Sequence, residues 1–133
     1  MQEAAQAYQR TAQQTAAPRE QEAQLLLQAA SQLQAIAEGG LTDRREIAAA
    51  IRFNRTLWTV LATSATNAAN PLPEALKHSV AQLGVFILNH SLKLEIQPER
   101  ERFGVLISIN RQIAAGLRES SAPAAGSQAV SAA

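Results

Sequence analysis

The chain contains no cysteine, which excludes disulfides, thiolate catalysis and zinc sites built on Cys. Histidine is limited to His78 and His90. On a shared helix the two would stand about 120° apart around the axis and about 18 Å apart along it, too far to hold one metal. A strong charge of one sign is also missing, since 12 basic and 11 acidic residues leave a net charge of +1. That balance is far from the positive excess of a dedicated nucleic-acid binder. No 18-residue apolar run exists for a membrane span, and Met1-Gln2-Glu3-Ala4-Ala5 has neither the basic start nor the apolar stretch of a signal peptide. A cytoplasmic protein is expected. Gly39-Gly40 and the isolated Gly84, Gly104 and Gly116 match neither phosphate-binding glycine fingerprint. No nucleophile, acid or base stands in a recognisable catalytic arrangement. Neither an enzyme nor a resident cofactor, metal or small-molecule substrate is expected, and the function is assigned to binding another macromolecule.

What is present suits a helical domain. At 133 residues, 47% hydrophobic and 17% charged, the chain fits one core. The reading is all-α, a single small bundle of about five helices over residues 1–118 with a disordered Ala/Ser-rich tail over 119–133. The Ala- and Gln-rich stretch from Gln2 to Ala16 reads as a weak first helix. Pro18, followed by Glu20 and Glu22, fits the first turn of a second helix that ends near Glu38 at Gly39-Gly40. Thr42 or Asp43 can cap a third helix, on which Ile47, Ile51, Asn54, Trp58 and Leu61 share one face. Asn70-Pro71-Leu72-Pro73 is a break. A fourth helix follows, with Leu76, Val80, Leu83, Ile87, His90 and Leu94 assigned to its inner face. Pro98 interrupts, and Phe103, Leu106, Ile107, Asn110, Ile113 and Leu117 mark a fifth. The run Val105 to Ile109 is β-branched enough for a strand, but its register continues too long for one. From Glu119 the residues are too small to offset about 1 to 2 kcal/mol of backbone entropy each.

Several residues have two readings. Asn54 and Asn110 interrupt apolar stripes, where an unpaired amide costs about 1 to 3 kcal/mol. They bond helix ends or each other, or form the polar rim of a groove for a partner helix. Arg44, Arg45, Arg52 and Arg55 form a basic strip that is a solvated face more often than a phosphate or acidic-surface contact. Trp58 belongs to a core more often than to an interface, and its N–H needs a partner if buried. Gly84, Gly104 and Gly116 sit inside helical patterns, which predicts close approach of a neighbouring helix.

The order of five segments resembles one family over roughly Ala4 to Leu117. These are Ala7-Tyr8, then Pro18-Arg19-Glu20 with Glu22, Asn54-Arg55-Thr56-Leu57-Trp58, Asn70-Pro71-Leu72-Pro73 with Leu76, and Ile109-Asn110-Arg111-Gln112-Ile113 with Gly116-Leu117. The resemblance is to the flagellar biosynthesis regulator FlaF of alphaproteobacteria. Ser64 and Lys77-His78 depart from the family pattern, which often has an acidic residue at the first place and a basic-Ala pair at the second. The resemblance implies a cytoplasmic helical protein needed for flagellin production and filament assembly. Such a protein would bind flagellin as an export chaperone does, couple that binding to flagellin translation, and work against the regulator FlbT, a second implied partner. On this reading Tyr8, Arg55 and Trp58 are the candidate partner contacts. Direct binding of flagellin messenger RNA through the Arg44 to Arg55 strip, or service as an adaptor for another regulator such as FlbT, are the alternatives.

Overall fold

The computed structural model describes residues 2–121, with side chains from 18 to 120. Four α-helices and one 3-10 turn form the described chain: α1 (Gln2–Ala37), α2 (Arg44–Ala65), α3 (Glu74–Ile96), the turn Arg100–Arg102 and α4 (Gly104–Ser121). The predicted first and second helices are therefore one. Pro18 lies inside α1. A proline deletes one backbone hydrogen bond, but the Ala, Gln and Glu residues around it are strong helix formers, and the helix continues through it. α4 likewise runs on to Ser121, so residues 119–121 are helical where a tail was expected. Residues 122–133 of that predicted tail lie outside the described residues, as does the side chain of Tyr8. Among the described residues there is no strand, and no helix is long and apolar enough to cross a membrane.

Local chemistry fixes the corners. α1 stops where Gly39 takes φ +83°, a conformation open to a residue without Cβ. The N–H groups of Gly40 and Leu41 then close on the Ala35 carbonyl at 2.9 and 3.1 Å. The Asp43 carboxylate caps α2 by accepting from the N–H groups of Arg45 and Glu46 at 2.9 and 3.0 Å. In the α2–α3 loop, the Asn70 side chain accepts from Leu72 N–H and donates back to the carbonyl and hydroxyl of Ser64. Asn70 thereby ties the proline break to the end of α2.

The helices alternate in direction. Arg118 of α4 bonds Glu20 of α1, while Asn110 reaches the Leu26 carbonyl, so α1 and α4 run antiparallel. Arg52 of α2 pairs with Glu95 of α3, and Ala62 meets Gly84, so these two are antiparallel as well. α1 packs most extensively on α4 and α2 on α3, and the core lies between the two pairs. Leu26, Leu33, Ile51, Trp58, Ile87, Leu94, Phe103 and Leu106 are among its fully enclosed side chains.

One helix face and one glycine differ from expectation. The buried line of α3 includes Lys77, Gly84 and Ser91 with Val80, Ile87 and Leu94, whereas Leu76, Leu83 and His90 sit half-buried at its edge. The cause is the crossing with α2. A Cβ added at Gly84 would lie 2.6 Å from the Ala62 Cβ, so the smallest residue must face that neighbour. A Cβ added at Gly116 would make an ordinary contact with Leu76 at 3.4 Å, and one at Gly104 would face open space. The close approach predicted at Gly104 is absent, because that residue starts α4 on an exposed turn.

Candidate functional site

The polar residues on the apolar stripes join one network. The Asn110 amide donates to Asn54 Oδ1 at 2.7 Å and to the Leu26 carbonyl at 3.2 Å. Its Oδ1 accepts the Trp58 indole N–H at 2.8 Å. All three side chains are fully buried, so α1, α2 and α4 are tied together by bonds that water does not reach. Asn54 and Asn110 bond each other, one of the two arrangements expected, and Trp58 has the N–H partner it requires. Trp58 therefore offers no surface to a partner in this conformation. Its place among the candidate contacts gives way to a core role, because its whole ring is spent on packing.

Arg55 is half-buried and bonds Glu95, which Arg52 also holds at 2.8 Å. The Arg55 hydrogen bond, followed by that of Arg52, keeps the Glu95 carboxyl below its ordinary pKa. This clamp crosses from α2 to α3 and occupies half of the basic strip, leaving Arg44 and Arg45 exposed at the head of α2. His90 donates through its Nε2–H to the Arg102 carbonyl oxygen at 2.8 Å and stacks on Phe86 with ring centroids 5.3 Å apart. His78 is exposed. Among the described residues no group of three or more His, Asp or Glu is placed to hold a metal.

The surface that departs most from a solvated helix is the outer side of α3. Val85, Leu92 and Ile96 are 62, 53 and 82% exposed, and their spacing of seven and four puts them on one line. Asn89 and Lys93 run beside it and are exposed too. α3 is thus apolar on its inner and outer sides, a pattern of helices that are covered all round. This second stripe is legible in the sequence as Val85, Leu88, Leu92 and Ile96, but sequence reasoning assigned only the inner one.

The described chain is thus an all-helical, four-helix domain with a buried Asn54–Asn110–Trp58 network in an apolar core and one outward apolar helix face. More narrowly, the chain belongs to the FlaF family of flagellar proteins, whose model matches residues 4–117. No curated protein and no solved structure matches it. The matched span covers nearly all of α1 and reaches Leu117 in α4, so it takes in the whole core.

Proposed function

We propose that this protein binds flagellin in the cytoplasm, holds it as an export chaperone would, and through that binding acts as a positive regulator of flagellin synthesis. Family membership supports the flagellar role, and the observation that carries the binding mode is the exposed line Val85, Leu92 and Ile96. An amphipathic flagellin helix laid along α3 would cover that line, a recurrent form of recognition. Full burial of a Val, Leu or Ile contributes about 1.5 to 3 kcal/mol, and the still-exposed parts of these three supply a fraction of that toward the roughly 8 kcal/mol that micromolar affinity requires. Function on this reading lies in binding rather than in catalysis.

The test is calorimetric titration with monomeric flagellin from the same genome, kept from polymerising, at two salt concentrations. Saturable binding with little salt dependence is expected. Leu92→Asp should weaken it by at least about tenfold, the effect of about 1.4 kcal/mol, with an unchanged circular dichroism spectrum because the side chain is exposed. No binding at concentrations on the order of tens of micromolar would overturn the proposal. In that case a titration against the regulator FlbT would take its place. Affinity for flagellin messenger RNA that falls steeply with salt would point instead to the arginine strip. The engagement of Arg52 and Arg55 by Glu95 speaks against that outcome.

A further inference from the structure

Two of the segments that carry the family resemblance, Pro18 to Glu22 and Asn70 to Pro73, are far apart in the chain, yet the fold brings them to one place. Pro18, Arg19 and Glu22 of α1 face Asn67, Pro71 and Leu72 of the α2–α3 loop across a cleft of ≈ 390 Å³. It lies at the end of the bundle opposite Ile96, about 30 Å away along α3 at 1.5 Å per residue.

The cleft has a built polar floor. Arg19 is only 9% exposed, and its Nη1 donates to the Ser120 carbonyl at 2.6 Å, where the positive charge also meets the negative end of α4. A guanidinium has five N–H donors. Those left over find no acceptor among the described residues, and none belongs to the fully enclosed unpaired atoms, so they open to the cleft. Glu22 is half-buried, and its carboxylate feels Arg19 electrostatically but accepts no hydrogen bond among the described residues. Burial raises its pKa, against a smaller opposing pull from Arg19. Of the neighbouring amides, Asn70 is spent on Ser64 and Leu72, and the Asn67 oxygen accepts from Ala69 N–H. Unspent donors and an unspent acceptor therefore stand one helical turn apart, beside an apolar wall of Pro18, Pro71 and Leu72.

That pairing is neutral as a whole, so it complements neither a phosphate nor a cation. It suits a stretch of extended polypeptide, in which one residue turns its own C=O and N–H to the same side. We infer that this cleft holds an extended segment of flagellin, its carbonyl on Arg19, its N–H on Glu22 and a small side chain against Pro71 and Leu72. The inference rests on flagellin being the partner, and it makes the grip two-point, with a helix on α3 and a strand at the opposite end.

Two variants test it in the same titration with monomeric flagellin. Glu22→Gln keeps the shape and removes the charged acceptor, and Ala69→Trp fills the cleft from an exposed position on its rim. Both should keep the wild-type circular dichroism and melting behaviour, and Glu22→Gln should melt no lower, since it relieves a partly buried charge. A charge-assisted hydrogen bond corresponds to a loss of about tenfold or more in affinity for Glu22→Gln, with a similar or larger loss for Ala69→Trp. If wild type binds and Glu22→Gln binds equally well, the cleft inference is overturned while the flagellin reading stands. If wild type fails to bind flagellin, both fall together.

Discussion

Replacing Asn110 with Ala tests whether the buried polar network holds the bundle together. Asn110 makes three bonds. The Leu26 carbonyl lies inside α1 and can accept its own helical N–H, so truncation strands two groups, the Trp58 indole N–H and Asn54 Oδ1. Stranding a buried polar group costs about 1 to 3 kcal/mol, which puts the variant about 2 to 6 kcal/mol below wild type. Domains of this kind have about 5 to 15 kcal/mol in all, so the loss would be plain in urea unfolding followed by circular dichroism at 222 nm. The companion change Trp58→Phe strands Asn110 Oδ1 and removes ring volume. In the double variant neither the indole N–H nor the Asn110 oxygen exists to be stranded. The double loss should then fall short of the sum of the singles by at least about 1 kcal/mol, within the range for residues in direct contact. Single losses that add to within about 0.5 kcal/mol would refute the claim that the indole–amide bond joins α2 to α4.

Further outcomes are expected. Gly84→Ala should destabilise by about 1 to 2 kcal/mol, because overpacking against Ala62 outweighs the gain of about 1 kcal/mol in helix propensity, whereas Gly104→Ala, facing open space, should be neutral or stabilising; thermal melts of the pair decide this. Acid unfolding should reflect Glu95 and Glu20, both held below the ordinary carboxylate pKa, first by hydrogen bonds from Arg55 and from Arg118 respectively. Their contribution is complete above the ordinary range of about pH 4 to 5, begins to fall within it and is gone only below their lowered folded-state pKa, so Glu95→Gln should flatten the loss of stability on the acid side. Glu22 has the opposite sign: its raised pKa costs stability as pH rises through that range, and Glu22→Gln should remove this opposing trend in the same titration. The single Trp of the chain should emit at the short wavelengths of a buried indole and shift red on unfolding, and a red-shifted native spectrum would contradict the burial of Trp58.

Much of this fold could be read from residue patterns. The stripes through Ile51, Asn54 and Trp58 and through Phe103, Leu106, Asn110 and Leu117 are strictly periodic, and they are the buried faces of α2 and α4. Asp43, Gly39 and the Asn70 to Pro73 break act through local chemistry that needs no tertiary information. What could not be read depends on neighbours. Pro18 is compatible with a helix start and with a helix interior, and the proline rule alone does not decide between them. α3 is apolar on two sides, so hydrophobic spacing alone could not show that Gly84 rather than Leu83 faces α2. The Arg19 and Glu22 cleft is invisible in sequence because its second wall comes from a loop beyond α2.

The pairing of α1 with α4 has a temporal consequence. The ribosome delivers helices in order, at about 5 to 20 residues per second, and the main partner of α1 is made only after α2 and α3. Until α4 has emerged, Leu26 and Leu33 on α1 lack their principal cover, while α2 and α3 can already pair through a short loop. About one to five seconds therefore separate the completed α2–α3 hairpin from the completed α4, and α1 waits that long for its main partner.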